Sequence, residues 1–336
     1  MRVFITGCGG FLGSHLADAF LARGDQVVGC DSLVGGEVEN VPHGVDFYVG
    51  DCNDFDKLKR AMRAVDVVYH CAATAHEGLS SFSPHENAQN GYAASAAVFS
   101  AACAVRAKRV VFTSSMARYG KGERPPPFTE DMVPMPEDPY AIGKHASEAL
   151  LENLCETHGV EWSIAVPHSI IGPRQRFCDP YRNVASIFIH LMLQGRQPFI
   201  YDDGSQERCF SFVSDCVNPL VRMATEECVR SEVINIGPDE GVVTILELAE
   251  RIATLMGFKL EPIFMPGRPR EVKLAHCSAN KARRLLGYET KIGLDEGLIQ
   301  MIEWVRAKGP KPFLYRTLPI EIESPKLPET WGKRLF

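Results

Sequence analysis

Residues 2–13 read Arg-Val-Phe-Ile-Thr-Gly-Cys-Gly-Gly-Phe-Leu-Gly, and a helical pattern continues from there to about Arg23. A short apolar run that breaks into Gly7-x-x-Gly10-x-x-Gly13 and then opens a helix is a strand–turn–helix unit. Glycines at such a turn let the backbone approach a pyrophosphate, whose charge then rests on the helix N-terminus. The next apolar run, Gln26 to Cys30, ends at Asp31, eighteen positions after Gly13. A carboxylate at that strand end binds the adenosine ribose hydroxyls and repels a 2′-phosphate, favouring NAD over NADP. Glycines alone punctuate turns everywhere. The assignment rests on strand, turn, helix and acid in that order.

The same alternation continues downstream. FYVGD (47–51), a helical segment at 54–63, VDVVYHCAA (65–73), an Ala-rich helix ending at Val105, and KRVVFTSS (108–115) follow one another. A helix over about 140–158 and WSIAV (162–166) extend the series. Short β-type runs separated by helices, apolar on both faces, define an α/β fold, a Rossmann-type doubly wound parallel sheet. After Gly172 the rhythm loosens into a charged loop, a helix near 184–194 and the turn Asp202-Asp203-Gly204. RCFSFVSDC (208–216), a helix near 217–228 and VINIG (233–237) return to the first domain, while 244–257 and 279–286 are helical. The expected division is 1–172 with 207–237 as the NAD-binding domain. Segments 173–206 and 238–308 form a smaller, discontinuous α/β substrate-binding domain. The tail, 309–336, has five prolines together with Phe313, Tyr315, Trp331 and Phe336. So aromatic a segment is expected to pack against the body or a partner subunit.

Of the 336 residues, 45% are apolar, and 36 Lys and Arg face 42 Asp and Glu for a net charge of −6. That balance gives no basic footprint for nucleic acid and no cationic patch for a membrane. The longest uncharged stretch, Asn87 to Val105, is interrupted by Asn, Gln and Ser and reads as a buried helix, not a span. The eleven cysteines are odd in number and have no Cys-x-x-Cys spacing, so neither a disulfide framework nor a metal site is indicated. Reduced thiols and a start at Met1-Arg2 without a signal-peptide pattern make the cytoplasm the expected location.

Tyr140-Ala-Ile-Gly-Lys144 puts a phenol and an ammonium on one helix face. A cation beside a phenol favours the phenolate, so Tyr140 can act as a base near neutral pH. Ser115 ends a strand twenty-five positions upstream of Tyr140, where its hydroxyl can bond the same substrate oxygen. Tyr-x-x-x-Lys alone is usually an ordinary surface pair; behind a dinucleotide loop, with Ser115 at that offset, it reads as a catalytic set.

With these residues in place the chain resembles the extended short-chain dehydrogenase/reductases, within them the nucleotide-sugar epimerase/dehydratase group. The likeness runs from residue 2 to about 306, through TGCGGFLG (6–13), GDCND (50–54), HCAA (70–73), TSSMARYG (113–120), YAIGK (140–144), GPRQ (172–175), GSQERCFSFVSD (204–215), GRPREV (267–272) and NKARRLLGY (280–288). It implies NAD held by Gly7, Gly10, Phe11, Leu12, Gly13, Asp31, Asp51, Cys52, Ala72, Tyr140 and Lys144, with Ser115, Tyr140 and Lys144 catalytic. It implies a nucleotide-diphosphate sugar, UDP-linked, contacted by Ser115, Met116, Ser169, Arg176, Arg208, Arg268 and Glu271. Arg208 and Arg268 would grip the diphosphate and Glu271 the uridine ribose. A homodimer through the Ala-rich helix and the Tyr140 helix is a further implication.

In the group, dehydratases carry Asp-Glu after the Ser115 position, decarboxylases a Glu, and 3,5-epimerases a Cys. This chain has Met116-Ala117, neither able to move a proton, which leaves 4-epimerisation through a transient 4-keto sugar. The alternatives are a nucleotide-sugar 4-dehydrogenase or ketoreductase, and a non-catalytic NAD-binding regulator of the same fold. Arg118 reads either as a solvated loop charge or as a substrate contact, and His168 either as a second acid or as a satisfied core histidine. Cys209 reads as a packed thiol. Ser169 with Arg176 resembles a carboxylate clamp of uronate 4-epimerases; small Ala275 and CDPYRNVASIF (178–188) resemble the N-acetylhexosamine branch. The sugar stays open between these.

Overall fold

The structure, a computed structural model, describes residues 1–315 and 319–336. Seven parallel strands form its centre: β1 (Arg2–Thr6), β2 (Gln26–Asp31), β3 (Asp46–Val49), β4 (Val67–His70), β5 (Arg109–Thr113), β6 (Glu161–Pro167) and β7 (Glu232–Ile236). Their order across the sheet is β7-β6-β5-β4-β1-β2-β3, with every neighbouring pair parallel. The winding reverses between β1 and β4, so a crevice opens there at the strands' carboxyl ends, the usual ligand position in such sheets.

Both faces are covered. Helices α1 (Phe11–Ala22), α6 (Val213–Arg222) and α8 (Asn280–Leu286) bury Leu16, Phe20, Leu220 and Leu286 on one side. Helices α2 (Phe55–Ala61), α3 (Ala94–Ala104) and α4 (Pro139–His158) bury Leu58, Phe99 and Leu151 on the other. Helix α4 starts where Asp138 accepts from the Ala141 N–H, with Pro139 in its first turn, and stops at Gly159 in the left-handed region.

A third cluster joins α5 (Val184–Leu193), α7 (Ile245–Met256) and α9 (Leu294–Lys308) around Phe188, Leu248 and Ile302. Beside it, Glu207–Arg208 lies between antiparallel Val243–Thr244 and parallel Leu274–Ala275, and Phe199–Tyr201 pairs with Ile263–Met265. The chain segment after α9 runs back across the molecule. Trp331 is buried against Leu79, Phe82 and Tyr181.

Two local expectations differ from the structure. The helix expected near 217–228 begins at Val213, directly after Phe212, and ends at Arg222. Pro219 removes one intrahelical bond, yet Cys216 and Leu220 are fully buried around it and packing prevails. Just past its end the buried Arg109 guanidinium takes the Met223 and Glu226 carbonyls at 2.8 Å each. The second is α9, which the sequence reading left unassigned. Its residues Leu298, Met301, Ile302 and Val305 recur at helical spacing and are buried.

All eleven cysteines are free thiols. Among the described residues no helix is long and apolar enough to cross a membrane, and no His/Cys/Asp/Glu group could hold a metal.

Candidate active site

At the crevice between β1 and β4 the glycines do distinct work. Gly13 packs so tightly on the turn that a Cβ would sit 2.2 Å from the Gly7 carbonyl oxygen. Gly7 has φ +70°, and a Cβ there would meet the Ala72 nitrogen at 2.8 Å. Gly10 caps α1 without a side-chain acceptor, so the first N–H groups of the helix face the cleft unpaired by any side chain. Asp31 is 7% exposed and accepts from the Gly9 N–H at 3.1 Å and the Leu33 N–H at 2.8 Å. Burial pushes its carboxyl up, and those N–H groups pull it back. The loop after it closes down until Gly36 would place a Cβ 2.7 Å from the Asp31 carboxylate. Phe11, Leu12, Asp51, Cys52 and Ala72 line the same cleft. A glycine cradle, an uncapped helix start and a carboxylate at the next strand end fit a dinucleotide pyrophosphate and ribose.

The cleft continues without a break to the Tyr140 region. Ser115 lies two residues past the end of β5 and caps a short turn, accepting from the Ala117 N–H at 3.2 Å. Tyr140 and Lys144 face inward from the first turns of α4, 8% and 7% exposed. Lys144 Nζ donates to the Thr113 carbonyl at 2.8 Å and lies 4.7 Å from the Phe112 ring centre and 5.9 Å from that of Tyr140. Burial brings Lys144 down to about 8. The phenolate-favouring effect expected from Lys144 is not what sets Tyr140 in this structure. Burial pushes the phenol up, the Glu77 charge adds to that, and Ser115 and Arg182 oppose it. The ammonium is engaged on the Thr113 carbonyl, and burial outweighs the favourable neighbours.

Glu77 and Arg182 both line this part of the cleft and were missed in the sequence reading. Glu77 opens the short helix Glu77–Ser80 after β4 and Arg182 lies before α5, in no motif, so only the fold brings them to Tyr140. Behind α4, Glu148 collects Ser114, Arg118 at 3.3 Å and His145 at 3.2 Å. Arg118 is therefore neither solvated nor a cleft residue: it is 6% exposed and paired to Glu148.

At the far end, the Arg208 guanidinium donates to the backbone carbonyls of Glu207 (2.7 Å), Lys273 (3.3 Å) and Val272 (2.9 Å), while still lining the cleft. Arg268 pairs with Glu271 and lies 4.8 Å over the Tyr201 ring, with its buried Nε unpartnered. Ser169 (φ +42°), Met116 and Ala275 also line the cleft. Arg176 also lines the cleft, and its NH1 donates to the Val34 carbonyl at 2.6 Å, in the loop beyond Asp31. His168 bonds the Pro238 carbonyl at 2.7 Å, and burial lowers it to about 4. Cys209 donates to the Glu240 carbonyl at 2.9 Å and is pushed up to about 12 by burial. Both are packing residues.

A doubly wound sheet with a dinucleotide cradle at its switch point, leading to a serine, a tyrosine and a lysine in one cleft, defines an NAD-dependent enzyme of the short-chain dehydrogenase/reductase class. The model of the NAD dependent epimerase/dehydratase family matches residues 3–237, and the chain belongs to that family, with NAD as its cofactor. The UDP-glucose 4-epimerase of Mycolicibacterium smegmatis is 34% identical over 321 residues, covering 92% of this chain and 100% of that protein. UDP-glucuronic acid decarboxylase 1 of Danio rerio is 31% identical over 308 residues, covering 90% of this chain and 72% of that protein. The structure of UDP-glucuronic acid 4-epimerase from Bacillus cereus, in complex with UDP-glucuronic acid and NAD, superposes with a TM-score of 0.85 at 26% identity, covering 92% of this chain and 100% of the other.

Proposed function

We propose that this chain is an NAD-dependent UDP-sugar 4-epimerase working through a transient 4-keto sugar. The observation that carries the reading is Met116, which lines the cleft directly after Ser115 and is followed by Ala117. Neither side chain can protonate a leaving hydroxyl or assist loss of a carboxylate, so nothing at these two positions carries the sugar beyond oxidation and its reversal.

Gly7, Gly10, Gly13 and Asp31 hold NAD, which supplies a hydride acceptor that becomes the donor for the return step. Tyr140 is the base for the proton of the sugar 4-hydroxyl, acting in its deprotonated form against the burial that pushes the phenol up, and Ser115 bonds the same oxygen. Lys144, while protonated, places a positive charge beneath the phenol. Arg208 and Arg268 bind the diphosphate, and Glu271 exchanges Arg268 for the ribose. When the keto sugar turns over and is reduced on its other face, Tyr140 returns the proton to the 4-oxygen. The Arg176 guanidinium, bonded to the Val34 carbonyl, does not favour a uronate over a hexose or N-acetylhexosamine. A homodimer through α3 and α4 belongs to the same reading, supported by exposed Tyr92 before α3 and Ile142 on α4; light scattering of the purified protein tests it.

The experiment is incubation with UDP-glucose, UDP-N-acetylglucosamine, UDP-glucuronate and GDP-mannose, with products identified by NMR. A 4-epimer of a UDP-sugar is expected. A 4-keto-6-deoxy sugar or a pentose would overturn the reading.

A further inference from the structure

The cleft has a wall outside the matched family region. The family model covers residues 3–237, yet Trp331 and Phe336, at the far end of the chain, both line the cleft. Trp331 is 2% exposed and lies against the short helix carrying Glu77, so close that a Cβ on Gly78 would sit 2.9 Å from its ring. Phe336 meets Phe199 edge to face at 5.4 Å. Between them, the Thr330 hydroxyl bonds the Tyr201 hydroxyl, and Arg268 lies over the Tyr201 ring.

The segment is anchored on both sides of the cleft. On the sheet side, the Glu321 and Ile322 N–H groups donate to the Phe82 carbonyl at 2.8 and 3.0 Å. The Glu321 carboxylate accepts from the His85 and Glu86 N–H groups at 2.9 and 2.8 Å. On the other side, the Arg196 guanidinium bonds the Leu335 carbonyl, beside the contacts of Thr330 and Phe336. A free tail would make none of these contacts. The segment lines the part of the cleft that holds Tyr201 and Arg268, one of the assigned diphosphate residues.

We propose that residues 319–336 are a built-in wall of the substrate site, in which Trp331 and Phe336, with Phe199 and Tyr201, enclose the planar nucleobase of the sugar nucleotide. This rests on the reading of the ligand as a UDP-sugar. Beyond the diphosphate a nucleotide presents a flat ring with polar edges, and edge-to-face aromatic walls are complementary to such a ring. The wall thus acts on substrate affinity and nucleotide choice, and leaves the cofactor cradle alone.

The test uses the full-length, NAD-loaded protein and its Phe336→Ala, Trp331→Ala and Trp331→Phe variants. UDP is titrated by calorimetry, and bound NAD per chain and the melting temperature are measured alongside. Loss of an aromatic wall contact predicts UDP binding weaker by roughly fivefold to tenfold in both alanine variants. NAD content should be unchanged, and Trp331→Phe should recover part of the affinity. With a substrate that turns over, KM should rise by a similar factor and kcat should hold. Phe336 is only half-buried, so Phe336→Ala decides the matter even if Trp331→Ala misfolds. Wild-type UDP affinity in Phe336→Ala overturns the wall while leaving the UDP-sugar reading intact. A wild-type protein that does not bind UDP overturns that reading and the wall with it.

Discussion

Replacing Gly13 with Ala tests whether the turn after β1 is a cofactor cradle with no room to spare. The added Cβ would lie 2.2 Å from the Gly7 oxygen and 2.8 Å from the Gly7 carbon, both backbone atoms of the turn itself. No side chain can swing aside, so the turn and the N-terminus of α1 must separate. Overpacking of this kind costs about 1–3 kcal/mol, against a total stability of roughly 5–15 kcal/mol. The protein should therefore fold, with its melting temperature lowered by roughly 2–10 °C and its pyrophosphate site displaced. Gly143→Ala is the matched control. It lies inside α4 between Tyr140 and Lys144, and a Cβ there meets nothing within 4 Å. It should gain about 0.8–1 kcal/mol of helix propensity and keep full NAD. The assay is NAD released per chain on denaturation, with a thermal melt of each variant. Gly13→Ala with wild-type NAD content and an unshifted melt would refute the reasoning.

Four further outcomes follow from the site and its frame. Tyr140→Phe should retain NAD and lose roughly 10²–10⁴-fold in kcat, measured by product formation; wild-type turnover would remove Tyr140 as the base. Burial holds Lys144 down at about 8, so activity that needs its ammonium should fall as pH rises through that value. Between there and the ordinary lysine range the unfolded chain binds more protons, so this group's contribution to stability grows with pH and is lost as pH falls through about 8; the kcat profile of Lys144→Arg should lack the alkaline fall. Asp31→Ser removes the charge that repels a 2′-phosphate and should narrow the preference for NAD over NADP, read by competitive binding. Arg109→Ala should cost about 2–6 kcal/mol in denaturant unfolding, because it strands the Met223 and Glu226 carbonyls, while the partly exposed Glu161 keeps its ion pair with Arg230.

How legible each part was depended on whether local chemistry or distant packing decides it. The β1–turn–α1 unit was readable because its glycines answer to contacts within a few residues, Gly13 on Gly7 above all. The same holds for the strand ending at Asp31 and for Tyr140 and Lys144, one helical turn apart. Arg118 was misread because its partner, Glu148, lies thirty residues on in α4, and only packing of that helix on the sheet buries them together. Glu77 and Arg182 carry no motif and meet Tyr140 through tertiary folding alone. Helix α9 was available in its apolar spacing. The aromatic residues of the tail pointed to packing, but nothing in their order named Gly78, Phe199 or Tyr201 as the surfaces they meet.

The central claim is a closed redox cycle at the sugar's C4, and UDP-glucose carrying deuterium at C4 tests it most directly. NMR follows the label while the absorbance of reduced nicotinamide is monitored; the other UDP-sugars, labelled in the same way, replace glucose if it is not turned over. The account predicts a 4-epimer that keeps its deuterium at C4, with no accumulation of reduced cofactor. Loss of the label, or a keto product released in step with reduced NAD, would contradict it.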